Sequence, residues 1–150
     1  MLKILVRKWD KNKDRLRKYL EEAVNLNSCS YLDLVKMTFM YIYNDDTQPI
    51  HLNVEDITEI DNGDYQGTLL FLIPFDTYQP SESQYLMTYI GYGSCSCCDT
   101  LQAIQDGYDK KLAGQQIVDF MTLCKDILSN TIKPYNNGWR EEDEFTQAEL

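Results

Sequence analysis

The sequence predicts an α+β fold: a small antiparallel sheet of three to four strands packed against about four helices. Three observations predict it. The first 44 residues carry apolar residues at helical spacing, the middle switches to strand-like runs separated by turn residues, and helical stripes return after Gly93. At 150 residues and 43% apolar content, the chain is long enough to bury a core as a single domain over residues 1–150. No internal repeat or domain-length linker interrupts it, and the charged stretch 139–150 predicts a loosely ordered tail.

In the first helix, Leu16, Tyr19, Leu20, Ala23 and Val24 form an apolar stripe with basic residues opposite. Whether Leu2 to Val6 forms an edge strand before it is left open by the pattern. Asn25 to Asn27 interrupt the pattern. Ser30 with Asp33 then has the spacing of a capping box, because each side chain can satisfy the other's free backbone N–H. It opens a core helix over Tyr31 to Tyr43 on the stripe Tyr31, Leu34, Val35, Thr38, Phe39, Ile42.

Asn44 to Pro49 is a polar break. Asp61-Asn62-Gly63-Asp64 predicts a tight hairpin turn, since Asn-Gly readily takes left-handed conformations. Thr68 to Phe75 is apolar on both faces and reads as the central strand, ended by Pro74. Gln84 to Tyr92 alternates and is rich in Tyr, Thr and Ile, as strands are. Asp99 with Gln102 repeats the capping-box spacing before a short helix through Leu101 and Ile104. The last helix spans Gln115 to Ser129 on the stripe Ile117, Phe120, Met121, Cys124, Leu128, with Pro134 and the Asn-Asn-Gly run beyond it.

Charge is segregated. The net charge is −10, yet residues 1–18 hold eight Lys and Arg against Asp10 and Asp14. Between Lys36 and Lys110 there is no Lys or Arg, while twelve Asp and Glu fall there. Such a surface projects negative potential and either serves solubility or meets a partner with a basic surface. Direct nucleic-acid binding by the main fold is disfavoured, because phosphates need cations facing them. The candidate partner-binding residues are Glu55, Asp56, Glu59, Asp61 and Asp64, along the hairpin before the central strand. Tyr78, Tyr85, Tyr89, Tyr92 and Tyr108 cluster nearby in sequence, and tyrosine is enriched at protein interfaces.

Cys95, Cys97 and Cys98 sit between a strand end and a helix start, with Cys95 and Cys98 in CxxC spacing. Three readings compete: small buried residues in a tight turn, half of a zinc site completed by Cys29 and Cys124, or a redox or nucleophilic pair activated by a helix N-terminus. No second CxxC supports zinc, and no cofactor besides zinc is indicated. His51 is the one histidine and has no nucleophile or acid patterned around it. Neither GxGxxG nor the Walker pattern occurs, and calcium-loop spacing is missing among the acidic residues. The balance favours binding over catalysis.

The segments DNGDYQGTLLFLIPFDTYQPSE, YLMTYIGYGSCSCCDTLQAIQ and PYNNGWR, with the start VRKWDKNKDRLRKYLEEAVNLNSCSYLDLVK, cover most of the chain. They resemble small accessory proteins of bacteriophages and prophages of Gram-positive bacteria. The pattern of that family is YGSCSGCDTLQ, in which Cys97 here replaces a glycine while Cys95 and Cys98 stay. The resemblance implies no activity. It implies a setting: the cytoplasm of the bacterial host, where small acidic phage proteins occupy basic grooves of nucleic-acid enzymes or defence complexes and inhibit them. The start MLKILVRKW has too short an apolar run for a signal peptide, and no stretch approaches the roughly 18 apolar residues of a membrane span, which fits the same expectation.

Overall fold

In the computed structural model, residues 2–23, 26–64, 66–94, 99–106 and 113–133 are described. Four helices and a three-stranded antiparallel sheet make an α+β fold, in the order α1 (Lys3–Glu22), α2 (Tyr31–Ile42), β1 (Thr58–Gly63), β2 (Gly67–Pro74), β3 (Tyr85–Tyr92), α3 (Thr100–Asp106), α4 (Ala113–Ser129). A short 3-10 turn, Leu26–Ser28, lies between α1 and α2.

Helix α1 starts at Lys3, which settles the open choice for Leu2 to Val6 in favour of helix: the amides of Leu5 and Val6 both donate to the Leu2 carbonyl. Its buried face runs Ile4, Leu5, Lys8, Trp9, Asn12, Leu16, Leu20. This is one continuous stripe, but Lys8 and Asn12 occupy two of its core positions and hide the period from a reading based on apolar residues. Val24 of the expected stripe lies outside the described residues.

The capping box at α2 forms as expected: Asp33 N–H donates to Ser30 Oγ at 3.1 Å, and Ser30 N–H to Asp33 Oδ2 at 3.0 Å. Tyr31, Leu34, Val35, Thr38, Phe39 and Ile42 are all buried. In the polar break that follows, the Asn44 side chain takes the part of a strand neighbour, accepting from Leu52 N–H at 2.8 Å and donating to its carbonyl at 3.0 Å.

The sheet is a meander in the order β1-β2-β3. The turn between β1 and β2 is not Asp61-Asn62-Gly63-Asp64. Asn62 pairs with Thr68 and Gly63 with Gly67, so the strands continue through the Asn-Gly pair and the connection begins only after Gly63. The two facing glycines explain the shift. A Cβ on Gly63 would run into the Gln66 carbonyl oxygen, and one on Gly67 into that of Asn62. Without side chains there, the strands approach closely for one more pair.

Register sorts the side chains into two faces. Phe71, Ile73, Leu86, Thr88 and Ile90 face inward and are buried against the helices. Burying a side chain of that size stabilises by about 1.5–3 kcal/mol. Thr88 Oγ donates to the Ile127 carbonyl of α4 at 2.7 Å, tying sheet to helix layer. The outer face carries Ile60, Leu70, Leu72, Met87 and Tyr89. Both faces of β2 are apolar, as its sequence indicates, but only the inner one is covered by the described residues. Leu70 and Leu72 stay half-buried, and Ile60 and Tyr89 are each 44% exposed. Ile132 exchanges both backbone hydrogen bonds with Met87, extending the sheet by one bridge beyond β3.

Helix α1 packs on α2 and α4, α3 on α4, and α4 on β3, so the core lies between the helices and the inner sheet face. Helix α4 begins at Ala113 and buries Phe120, Met121, Cys124 and Leu128 of its expected stripe, with Ile117 partly buried against the core. It ends at Ser129, before Pro134, which lies outside the described residues together with the rest of the chain's end.

Candidate functional site

Strand β1 is exposed along its whole length. Only β2 pairs with it among the described residues, so it forms one edge of the sheet. Glu59 and Asp61 alternate on this edge with Thr58, Ile60 and Asn62. Because Glu59 is opposite Phe71 and Asp61 opposite Leu69, both carboxylates project to the inner, helix side of the sheet. Both remain exposed. The apolar neighbour Ile60 projects to the outer face. Among the described residues, the acid of β1 therefore lies along the edge of the sheet, and the outer face beside it is neutral.

The remaining candidates extend this edge at both ends. Glu55 and Asp56 are exposed in the turn before β1, where Asp56 N–H donates to the Asn53 carbonyl. Asp64 is exposed just past its end. Among the described residues one cation reaches this group: Lys36 Nζ lies 3.9 Å from Glu55 Oε2, with the Glu55 side chain 75% exposed. A surface pair of that length contributes little.

Behind the edge, a cleft of about 360 Å³ opens between β1 and the starts of α2 and α3, lined by Glu59, Asp61, Tyr92, Tyr31, Asp99 and Gln102 among others. The Tyr92 hydroxyl donates to Asp61 Oδ1 at 2.6 Å. That bond, reinforced by slight burial and by the charges of Asp61 and Asp64, pushes the Tyr92 phenol up to about 12. It is a firm donor at neutral pH, and Asp61 is its carboxylate acceptor.

The floor of the cleft is a buried polar node. Asp99 Oδ1 accepts from the Tyr31 hydroxyl at 2.8 Å and from Gln102 N–H at 3.0 Å, while Oδ2 accepts from Gly93 N–H at 2.9 Å. Tyr31 in turn accepts from Leu101 N–H at 3.1 Å. Asp99 thus caps α3, as its spacing with Gln102 suggests, and also ties the end of β3 to the start of α2. Burial first, and then the carboxylate beside it, hold the Tyr31 phenol well above its ordinary range. The reach of Asp99 to Tyr31, 68 positions away, leaves no local pattern in the chain.

Cys95, Cys97 and Cys98 lie outside the described residues. The two remaining cysteines are thiols at neutral pH. Burial is the main cause in both, pushing Cys29 up to about 11 and Cys124, fully enclosed on α4, up to about 12. Gln105 also donates to Cys29 Sγ at 3.6 Å and to its carbonyl at 3.0 Å. Among the described residues, no group of three or more His, Cys, Asp or Glu is placed to hold a metal ion. His51 Nε2 donates to the Asp45 carbonyl at 2.9 Å, a structural role in the loop after α2. Among the described residues, no helix is long and apolar enough to cross a membrane.

The five tyrosines grouped by sequence separate in space. Tyr92 lines the cleft, Tyr85 and Tyr89 lie on the outer face, Tyr78 is 91% exposed in the β2–β3 loop, and Tyr108 lies outside the described residues. No family model, curated protein or solved structure matches this chain.

Proposed function

We propose that this chain is a phage accessory protein that binds a host protein through its acidic β1 edge and thereby modulates or inhibits it. The partner is a protein with a basic surface, such as a nucleic-acid enzyme or a defence complex, met in the host cytoplasm. The observation that carries this reading is the run of five exposed carboxylates, Glu55, Asp56, Glu59, Asp61 and Asp64, along one sheet edge with, among the described residues, a single long ion pair. Carboxylates held this way compete with phosphates for Lys and Arg, which raises association rate and selects basic partners. The setting comes from the resemblance to phage proteins and the mode from the charge.

The test is capture from host lysate at low salt, followed by a salt gradient, with the wild-type chain and a Glu55→Lys/Glu59→Lys/Asp61→Lys/Asp64→Lys variant in parallel. A basic protein released at intermediate salt from the wild type and absent from the variant supports the reading. Equal retention of the same protein by both chains removes the edge from the interaction.

A further inference from the structure

The acidic edge is also an unpaired strand edge. β1 exchanges its ladder hydrogen bonds with β2 alone among the described residues, so alternate residues turn free N–H and C=O groups outward. Its pleat divides it into two chemistries. Glu59 and Asp61, two positions and about 7 Å apart, line the cleft side. Ile60 continues the neutral outer face of Leu70, Leu72, Met87 and Tyr89.

We propose that β1 accepts an added strand from the partner, an extended segment in which basic and apolar residues alternate. The proposal rests on the reading of the edge as the partner-binding surface and specifies how it binds. In such a strand every second side chain, Lys or Arg, meets Glu59 and Asp61. The intervening apolar side chains lie beside Ile60 and widen the outer face by one strand. Main-chain hydrogen bonds then provide affinity and the alternation provides selectivity. Glu55 and Asp56 at one end and Asp64 at the other carry the attraction past both ends of the strand.

A second copy of this chain is the competing occupant, and the charges disfavour it. Antiparallel pairing of β1 with itself, with faces matched, puts Glu59 and Asp61 of each copy opposite the carboxylates of the other, and like charges directly opposed are destabilising. The same carboxylates that repel a second β1 attract a basic strand.

The test uses the intact chain and three short peptides of identical charge: Lys alternating with Val, the same residues with the Lys in a block, and the alternating peptide N-methylated at every second amide. The alternating peptide is expected to bind about tenfold more tightly than the other two, the effect of a few net main-chain hydrogen bonds. It should protect β1 amides from hydrogen exchange and lose affinity to a Glu59→Lys/Asp61→Lys variant. Equal binding of all three peptides, weakened alike by that variant, overturns strand addition and leaves the acidic edge as a plain electrostatic surface. Binding of none overturns both readings. A free chain that sediments as a dimer with its β1 amides already protected overturns the proposal in favour of a second copy.

Discussion

Two carboxylate sites in this molecule differ in nearly everything but their chemistry. Asp45, in the loop after α2, is 8% exposed and surrounded by donors. Lys8 Nζ lies 2.7 Å from Oδ1, the Asn12 amide donates to Oδ2 at 2.8 Å, and Thr47 donates through both N–H and hydroxyl. Asn12 also donates to the Ile42 carbonyl, so the node fastens α1 to the end of α2. On β1, Glu59 and Asp61 are exposed, and the one described bond to either is the Tyr92 hydroxyl on Asp61. A charge withdrawn from water must be paired within the fold, and its worth is then structural. A charge left at a sheet edge costs the fold little and keeps its affinity for something else. The contrast separates carboxylates that build this protein from those the fold leaves exposed to solvent.

The largest expected effect lies on the buried side. Asp45→Ala leaves Lys8 buried without its counter-charge and should cost about 3–5 kcal/mol of unfolding free energy. Urea denaturation followed by circular dichroism measures it. Adding Lys8→Met to Asp45→Ala should recover part of the loss, because it removes the stranded charge. A double variant no better than the single one would break the assignment of this node to charge pairing.

The same carboxylate sets an acid dependence. Burial alone would raise Asp45, but hydrogen bonds from Lys8, Thr47 and Asn12 and the charge of Lys8 hold it well below the usual carboxylate range. Its folded value is thus depressed, so its contribution is complete above the unfolded value of about 3.9 and fades as pH falls below it. Stability of the wild type should decline through that acid range more steeply than stability of Asp45→Asn. Parallel slopes in urea midpoints across the range would contradict the sign.

A smaller effect is expected at the hairpin that carries the edge. Gly67→Ala puts a Cβ against the Asn62 carbonyl oxygen, where backbone has to shift, and should destabilise by about 1–3 kcal/mol. Thermal unfolding reports it, and because the strain falls on the β1–β2 pairing, amide exchange should rise in β1 before it rises in α2. Uniform loosening of both elements would mean that the edge does not open as a separate unit.

These sites also show what was legible in the chain. Elements specified by neighbours in sequence were readable: Ser30 and Asp33 announce α2 three residues apart, and the run from Thr68 to Phe75 announces the central strand, observed as Gly67–Pro74. What escaped depends on distant residues. The start of α1 was obscured because Lys8 and Asn12 are core residues only by virtue of Asp45, more than thirty positions away. The turn was misplaced because two glycines facing across a ladder outweigh the local preference of Asn-Gly for a turn. At the candidate site the acidic residues were legible as a group. Their division into a cleft-facing pair and flanking turn residues required the register, although the i, i+2 spacing of Glu59 and Asp61 around Ile60 already contained it.

The smallest expected effect sharpens the comparison most. Glu59→Lys/Asp61→Lys reverses two charges on a strand whose every residue is exposed. Exposed substitutions of this kind stay within about 0.5 kcal/mol each, and the overall charge of −10 becomes less extreme. The variant should unfold within about 1 kcal/mol of wild type. One local change is expected: without the Asp61 acceptor, the Tyr92 phenol should titrate below its value of about 12, visible in the ultraviolet absorbance of the folded chain. A large loss of stability would mean that the edge carboxylates are structural after all, like Asp45. A nearly silent substitution would show that these two residues contribute almost nothing to the fold that presents them, so that any loss of the proposed partner binding in the same variant has no structural cause.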